Sequence, residues 1–156
     1  MNSIKYKSPF GIITIQETGG AVSRVYLPNA EPTVAENPNE FLEKAQTQFA
    51  EYFGGSRKTF DLPLDFGVSG EFALSVYREL LLVPYGETAS YKQIAERIGC
   101  PKGCRAVGQA NNKNPLPVIV PCHRVIGSNG KMTGFGGGID LKIKLLEHET
   151  LQSVRF

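Results

Sequence analysis

Apolar and polar positions alternate along much of the first third of the chain. Residues 22–27 alternate with a period of two, and residues 11–15 are rich in isoleucine, so both are predicted to be strands. Thr18–Gly20 between them indicates a tight turn. Residues 60–66 alternate in the same way and predict another strand. Apolar residues at helical spacing predict a helix over 40–53. The pattern therefore predicts a β-rich unit that contains one helix.

The apolar spacing becomes helical in the second part of the chain. Ser69 is placed to cap a helix, and Asp140 is placed to cap a last helix that runs through Glu149. A short run with two glycines interrupts the pattern where the spacing changes. We therefore expect two domains, residues 1–68 and residues 69–156.

A helix-turn-helix is predicted within this second region. Ser90, followed three residues later by Gln93, has the pattern of a capping box and would begin the first helix. A turn over residues 100–103 separates it from a short helix through Arg105 and Ala110. Two short helices joined by a tight glycine-containing turn, with an arginine facing outward, are typical of DNA-binding modules.

The segment from Asn114 to Ile126 contains three prolines, which exclude a regular helix. The apolar residues Val118–Val120 predict a short, buried, extended run. This run would place Cys122 in the loop that follows it.

Cys122 and His123 form the most informative pair of side chains. A thiol attacks well only as a thiolate, and a neighbouring imidazole can promote loss of its proton. Adjacent residues of an extended chain point to opposite sides, so this pair needs a turn or a bridging water. The imidazole also needs an acceptor to orient it, for which the last helix offers Glu149, Glu147 and Asp140. The alternative is a buried structural cysteine beside a surface histidine.

Charge is distributed unevenly along the 156 residues. The formal net charge is only +2, but residues 92–131 carry a single acidic residue, Glu96. The same stretch carries seven basic residues: Lys92, Arg97, Lys102, Arg105, Lys113, Arg124 and Lys131. A local positive field of this kind suits a polyanion such as nucleic acid, and the alternative is a solvated basic face.

The remaining residue types exclude several other classes of protein. Three cysteines, an odd number, favour a reducing compartment over a secreted disulfide framework. Cys100 and Cys104 have the spacing of half a zinc site, but a second pair of ligands is missing, so no metal is expected. The glycines follow no phosphate-binding pattern and give no sign of a cofactor. Neither a signal peptide nor a membrane-spanning run is evident, so no membrane association is expected.

The segment Pro121–Arg124 resembles the active-site signature of the O6-alkylguanine-DNA alkyltransferases, together with Asn114–Pro115 before it and Val125–Gly127 after it. Further segments follow the order and spacing of this family, so the resemblance covers nearly the whole chain. They are Ser8–Gly11, Glu51–Phe53, Pro84–Thr88, Ser90–Tyr91, Arg105–Gly108, Gly137–Gly138 and Leu145–Glu149.

The resemblance implies an α+β fold and a repair activity. An N-terminal ribonuclease H-like α/β domain would precede a mainly helical, winged-helix-like domain that binds DNA and carries the active site. The alkyl group of O6-alkylguanine, and of O4-alkylthymine, would move irreversibly to Cys122 in a single turnover. The partner would be double-stranded DNA, bound through its minor groove by a monomer without any cofactor. The location would be the cytoplasm of a prokaryote or the nucleus of a eukaryote.

The resemblance also implies roles for individual catalytic residues. Cys122 would be the alkyl acceptor, His123 would activate it through a water molecule, and Glu149 would orient the imidazole. Asn114 would hold the active-site loop by hydrogen bonds, and Tyr91 would contact the flipped base and crowd its phosphate.

Contacts with DNA are implied for the second helix of the helix-turn-helix. Arg105 would fill the gap that the flipped nucleotide leaves in the stack, because an inserted side chain offsets part of the lost stacking. The small residues Ala106 and Gly108 would let this helix approach the groove closely. The minor groove carries little sequence information, which suits repair at any site.

The substrate pocket is implied at Val125, Phe135 and Gly136. The backbone carbonyl of Val125 would accept a hydrogen bond from guanine, and Arg124 would be structural. Phe135 stands where many relatives have tyrosine, and Gly136 where they have serine or alanine. Both positions border the alkyl pocket, so the preferred size of the alkyl group stays open.

Two other functions fit parts of the sequence. An inert lesion-binding relative of the alkyltransferases would lack the acceptor cysteine, whereas Cys122 is present. A Cys–His hydrolase with turnover would need an oxyanion hole and a small-molecule cleft, and the basic helix-turn-helix argues against it. Alkyl transfer to Cys122 is therefore the predicted activity.

Overall fold

The structure, a computed structural model, describes residues 2–30, 32, 35–67, 69–131 and 138–153, with side chains to residue 150. The chain divides into two compact units, residues 1–67 and residues 68–156. Within these described ranges, every helix is too short or too polar to traverse a lipid bilayer.

The first unit is a three-stranded antiparallel sheet with a helix. Strands β1 (Asn2–Ser8), β2 (Gly11–Thr18) and β3 (Ala21–Tyr26) lie in chain order in the sheet, with a bulge between Gln16 and Glu17. A short 3-10 helix (Pro28–Ala30) follows, and then helix α1 (Glu40–Phe53). The core of this unit includes Ile4, Ile13, Ile15, Val22, Val25, Leu42, Ala45 and Phe49.

Helix α1 has the predicted bounds. Asn39 caps it, because its side chain accepts a hydrogen bond of 2.8 Å from the backbone amide of Leu42. The six buried residues of α1 repeat every three or four positions, which is the period of a helix with one face in the core. Local pattern and final packing therefore agree in this element.

The strand predicted over residues 60–66 is wrong. Only Leu64 pairs, in an isolated bridge with Val22. The side chain of Gln48 replaces a neighbouring strand here: its amide donates to the carbonyl of Asp61 at 3.0 Å and accepts from the amide of Asp61 at 2.9 Å. Two backbone hydrogen bonds of 2.9 Å, from the amide of Val22 to the carbonyl of Pro63 and from the amide of Asp65 to the carbonyl of Val22, therefore attach the segment to β3 at one point only.

The described residues of the second unit form four α-helices and a two-stranded parallel sheet. The helices are α2 (Glu71–Leu80), α3 (Tyr91–Arg97), α4 (Cys104–Asn112) and α5 (Ile139–Ser153). The strands are β4 (Ala89–Ser90) and β5 (Val125–Ile126), and a 3-10 helix (Cys122–Arg124) directly precedes β5. The pairing places the start of α3 beside the segment that follows Cys122.

The helix starts in this unit agree only partly with the predictions. Ser90 caps α3 in the predicted capping box with Gln93. Gly70, rather than Ser69, is the N-cap of α2 and supplies no side-chain hydrogen bond. Asp140 lies inside the first turn of α5, where a carboxylate interacts favourably with the helix dipole, and does not cap the helix.

A candidate active site around Cys122

Asn114 holds the loop that leads to Cys122. Its side-chain amide donates to the carbonyl of Val120 at 2.9 Å, and its side-chain oxygen accepts from the amide of Leu116 at 3.0 Å. The amide of Val120 also donates to the carbonyl of Leu116 at 2.9 Å. One buried side chain therefore closes both ends of the loop.

The loop makes a turn at Val118, so the predicted extended run over residues 118–120 is wrong. Pro117 and Val120 form a bridge, and Val118 between them has a φ of 74°. A β-branched residue in the left-handed region carries strain on the order of 1–3 kcal/mol, which the surrounding contacts must offset. The hydrogen bonds of Asn114 and the burial of Val118 supply such contacts.

Cys122 begins the 3-10 helix and is only 3% exposed. Its amide donates to the carbonyl of Val120 at 2.7 Å, and its carbonyl accepts from the side chain of Asn111 at 3.2 Å. Burial raises the pKa of the thiol to about 11, against the opposing effects of the Asn114 amide and the positive charge of Lys142. At rest this sulfur carries its proton, and the thiolate has to be generated and stabilised.

His123 is fully buried and is bound to Glu149. The distance from its Nε2 to the carboxylate Oε2 is 2.6 Å. A carboxylate that accepts from Nε2–H leaves the lone pair on Nδ1, and Nδ1 has no hydrogen-bond partner among the residues described. Burial holds the pKa of this imidazole below its usual value, so it is neutral at neutral pH. Glu147 and Asp140, the other candidate acceptors, are exposed.

The carboxylate of Glu149 also accepts hydrogen bonds from Arg124. The guanidinium donates from Nε to Oε1 at 2.8 Å and from Nη2 to Oε2 at 3.0 Å. The amide of Gly86 donates to Oε1 at 3.2 Å, and Nη1 of Arg124 donates to the carbonyl of Val83 at 2.8 Å. Hydrogen bonds from His123 and Arg124, together with the charge of Arg124, keep the pKa of Glu149 far below its usual value, despite burial.

Arg124 differs from the other basic residues of the segment 92–131. It is 6% exposed and its charge is compensated by Glu149. The other six are exposed: Lys92, Arg97, Lys102, Arg105, Lys113 and Lys131. The basic surface therefore has six charges rather than the seven that the sequence suggested.

Tyr91 and Lys142 contact each other between α3 and α5. The ammonium of Lys142 lies 3.5 Å from the hydroxyl of Tyr91 and 5.6 Å from the centre of its ring. The side chain of Lys142 is fully buried, and burial lowers its pKa to about 8, while Cys122 acts to raise it. The buried ammonium of Lys142 therefore lies against the side chain of Tyr91.

Helix α4 has one exposed side and one side that faces the core. Arg105 and Ala106 are exposed, whereas Val107 and Ala110 face the core. A Cβ atom at Gly108 would lie 3.8 Å from a ring carbon of Tyr91, so the start of α3 lies directly beside this helix. The predicted DNA-contacting residues therefore lie on a helix that is next to Tyr91, the first residue of α3.

Of the three residues predicted to border the substrate, the structure describes only Val125. Val125 is buried in β5, pairs with Ala89, and has its amide bonded to the carbonyl of Cys122. Phe135 and Gly136 lie outside the described residues.

Three residues of the site were not anticipated from the sequence. Asn111 donates to the carbonyl of Cys122, Tyr77 is buried with its hydroxyl 2.9 Å from the carbonyl of Ala110, and Lys142 is buried against Tyr91. Burial, and then the charge of Cys122, raise the pKa of Tyr77. Lys142 precedes Glu149 by seven residues, or about two helical turns, and this spacing could have shown that both face the same side.

Cysteine and histidine side chains form no metal-binding cluster in the part of the chain that the structure describes. Cys100 and Cys104 are both exposed, at the turn before α4 and at its first residue. No pair of further ligands accompanies them in the described ranges.

Comparison with known proteins shows similarity along the whole chain. A methylated-DNA–protein-cysteine methyltransferase of Mycolicibacterium paratuberculosis is 44% identical over 151 residues, which cover 94% of this chain and 90% of that protein. One from Methanosarcina acetivorans is 52% identical over 110 residues, 70% of each chain. The crystal structure of Mycobacterium tuberculosis OGT in complex with DNA superposes with a TM-score of 0.89 at 40% identity and covers 97% of this chain and 94% of that one.

Two family models match the chain in succession. The ribonuclease-like domain of 6-O-methylguanine DNA methyltransferase matches residues 1–66, and the DNA-binding domain of the same family matches residues 71–151. These matches, with the superposed structure, confirm the expected α+β fold of a ribonuclease-like domain followed by a mainly helical DNA-binding domain. They also confirm the resemblance found in the sequence. The chain belongs to the 6-O-methylguanine DNA methyltransferase family.

Proposed function

We propose that this protein repairs DNA by direct reversal and is a methylated-DNA–protein-cysteine S-methyltransferase. Cys122 takes the alkyl group from O6 of guanine, and also from O4 of thymine. The observation that carries the proposal is the buried series of Cys122, His123 and Glu149, in which a neutral imidazole beside the thiol is held by a carboxylate at 2.6 Å. Two relatives that are 44% and 52% identical to the chain carry the corresponding name.

The chemistry starts with the proton of the thiol. Nδ1 of His123 accepts it through a bridging water, because the adjacent side chains do not bond each other directly, and Glu149 stabilises the imidazole that receives it. The thiolate attacks the alkyl carbon, a carbon–sulfur bond forms and the carbon–oxygen bond breaks. The electron pair leaves with guanine, which takes up one proton, so charge balances overall.

Access to the alkyl carbon requires the base to leave the duplex. The target is stacked and paired, and a modified base that pairs poorly is easier to flip. We assign Arg105 to the gap in the stack, and Ala106 and Gly108 to close contact with the minor groove. Tyr91 contacts the flipped base. The six exposed basic residues provide sequence-independent attraction to phosphates.

The remaining assignments complete the proposal. Asn114 holds the active-site loop, the carbonyl of Val125 binds guanine, and Phe135 and Gly136 border the alkyl group. The domains extend over residues 1–68 and 69–156. The protein acts as a monomer, without metal or cofactor, in the cytoplasm of a prokaryote or the nucleus of a eukaryote.

The product of transfer is a thioether. It has no carbonyl for water to attack and no good leaving group, so the thiol is not restored by hydrolysis. Each molecule should therefore repair one lesion and stop. This distinguishes the proposed reaction from a Cys–His hydrolase, whose acyl intermediate is hydrolysed and which turns over.

Intact-mass measurement after mixing with duplex DNA that contains O6-methylguanine tests the proposal. We expect the mass to rise by one methyl group, located by peptide mapping on Cys122, and the repaired lesions to equal the moles of active protein. Cys122→Ser should bind the DNA without transfer. Cys100→Ser and Cys104→Ser, which change exposed thiols, should transfer normally. Repair in large excess over protein, or methyl on either exposed cysteine, would refute the proposal.

A further inference from the structure

Asn111 is buried near the end of α4, although asparagine is usually an exposed residue. It is only 1% exposed, and its side-chain amide donates to the carbonyl of Cys122 at 3.2 Å. A carbonyl can only accept, so this contact identifies the nitrogen of the Asn111 side chain as the atom that faces Cys122. The hydrogen bond joins α4, which carries the proposed DNA contacts, to the 3-10 helix that carries the nucleophile.

The side-chain oxygen of Asn111 is buried too, and it has no hydrogen-bond partner among the residues that the structure describes. A buried acceptor without a partner lowers the stability of the fold, and an apolar side chain of similar shape avoids this cost. The carbonyl of Cys122 also accepts from the amide of Val125, so it stays paired without Asn111. Stability therefore does not account for an amide at this position.

The carbonyl that Asn111 binds belongs to the peptide group between Cys122 and His123. This group is planar, so its orientation sets the directions in which the thiol and the imidazole leave the backbone. The amide of Val125 binds the carbonyl from within the same turn of chain, whereas Asn111 binds it from α4. The hydrogen bond of Asn111 is thus the one that ties this peptide to a separate helix.

We propose that Asn111 is a positioning residue for alkyl transfer, because its amide fixes the peptide that joins the nucleophile to its base. This role presupposes the proposed function. Asn111 exchanges no proton and touches no reacting atom. The thiol proton passes to His123 through the bridging water, sulfur bonds to the alkyl carbon as the carbon–oxygen bond breaks, and the electron pair leaves with guanine. Displacement of a reacting group by about 1 Å can slow a reaction about a hundredfold, so the orientation of this peptide affects the rate directly.

Asn111→Leu tests the role, because leucine has as many non-hydrogen side-chain atoms as asparagine but lacks both the donor and the buried oxygen. Asn112→Leu makes the same change at the next residue, which is exposed, and is the matched control. Single-turnover transfer is measured with saturating duplex DNA that contains O6-methylguanine and with free O6-methylguanine. We expect Asn111→Leu to slow transfer from both substrates by about tenfold or more, with unchanged affinity for the duplex. Asn112→Leu should transfer at the native rate.

Stability separates positioning from a structural role. Because leucine removes a buried acceptor without a partner, the urea midpoint of Asn111→Leu should equal or exceed the native midpoint. Asn111→Ala cannot overpack the site and should slow transfer as well, which covers the case in which leucine does not fit.

Three results would overturn the inference. One is a native rate in whichever of the two Asn111 variants folds. Another is a loss confined to duplex DNA, because this would assign Asn111 to DNA binding. The third is a rate that falls only together with the urea midpoint in both variants, because this would indicate a structural role.

The hydrogen bond itself can be observed by NMR. Cys100→Ser and Cys104→Ser leave Cys122 as the single cysteine, so cysteine labelled with carbon-13 at its carbonyl gives one signal. A carbonyl that loses a hydrogen bond gives a signal further upfield. We expect this shift in Asn111→Leu and not in Asn112→Leu. An unchanged signal in Asn111→Leu would overturn the inference, because the amide would then not hold this peptide in solution.

The repair assay distinguishes the two proposals. If native protein does not methylate itself on O6-methylguanine DNA, the proposed function fails whatever Asn111 does. If native protein repairs the DNA and Asn111→Leu repairs it at the same rate, only the role of Asn111 fails.

Discussion

Arg124 and Glu149 form a two-point ion pair inside the protein. The two hydrogen bonds measure 2.8 and 3.0 Å, and the carboxylate is fully buried. His123 binds the same carboxylate, so one side chain both anchors the end of α5 and orients the proposed base. Loss of Arg124 would leave an uncompensated charge in the interior.

The change Arg124→Met should lower the free energy of unfolding by about 3–5 kcal/mol, because Glu149 would remain buried without its main partner. Arg57→Met is the matched control: Arg57 pairs with Glu51 at 2.9 Å on the surface and should cost less than about 1 kcal/mol. Urea unfolding of both variants gives the comparison. The double change Arg124→Met and Glu149→Leu should recover much of the stability, and equal costs for the two single variants would contradict the assignment.

The rate of methyl transfer should depend on the protonation of His123. Because its pKa is lowered in the folded protein, the imidazole stays neutral down to and below its usual value of about 6.5. We expect the single-turnover rate to change little from pH 8 to 6.5 and to fall at lower pH as the base is protonated. Rapid-quench measurements at fixed ionic strength test this. A rate that already falls tenfold between pH 8 and 7 would argue against His123 as the base.

Stability should also fall with acid, in two stages. A group whose pKa is lower in the folded state binds its proton more readily when unfolded, so stability is lost as pH falls through the unfolded value. This places the first loss below about pH 6.5 for His123 and the second below about pH 4.3 for Glu149. Urea unfolding at successive pH values measures both. The first stage should disappear in His123→Gln, and its persistence would assign it to another group.

Arg105→Ala should impair repair of duplex DNA far more than reaction with free O6-methylguanine. Arg105 is exposed on α4 and is proposed to stabilise flipped DNA without a part in the chemistry. We expect repair of duplex to fall by about tenfold or more, since each 1.4 kcal/mol of lost stabilisation is a factor of about ten. Lys102→Ala removes a neighbouring exposed charge and should have a smaller effect. Equal losses on duplex and on free base would exclude the proposed role.

Gly108→Ala should weaken DNA binding without destabilising the fold. The added Cβ would meet ring carbons of Tyr91 at 3.8 and 3.9 Å, which is ordinary contact, and alanine favours a helix by about 1 kcal/mol over glycine. The melting temperature should therefore stay or rise, while the affinity for duplex DNA should fall if α4 approaches the groove closely. Gly70→Ala makes the same change away from α4 and should leave affinity unaltered. Unchanged affinity in Gly108→Ala would place the DNA elsewhere.

Sequence patterns predicted those elements whose hydrogen bonds are local. Helix α1 and the capping box at Ser90 depend on residues close in the chain, and both agree with the structure. The errors at 60–66 and 118–120 have one cause, because side chains of Gln48 and Asn114 take backbone hydrogen bonds there. Hydrophobic periodicity does not show where a side chain, rather than a neighbouring strand, forms the hydrogen bonds of the backbone.

Strand β1 and Lys142 escaped prediction because polar side chains are buried there. Ser3 and Ser8 are both buried in β1 although they are polar, so the expected alternation of apolar residues is absent. Lysine ordinarily marks a solvated helix face, and its burial in α5 follows only from packing in three dimensions. The proposed catalytic pair of Cys122 and His123 was visible because its two members are adjacent.

The carboxylate and the buried ammonium of the site both come from α5, some twenty residues after Cys122 in the chain. During synthesis on a ribosome, the cysteine therefore emerges before the helix that supplies them. Until α5 docks, His123 lacks the carboxylate that orients it, and the thiol reacts like an ordinary cysteine. A nucleophile that can be used only once thus gains its reactivity only when the fold around it is complete, which limits wasteful alkylation of the nascent chain.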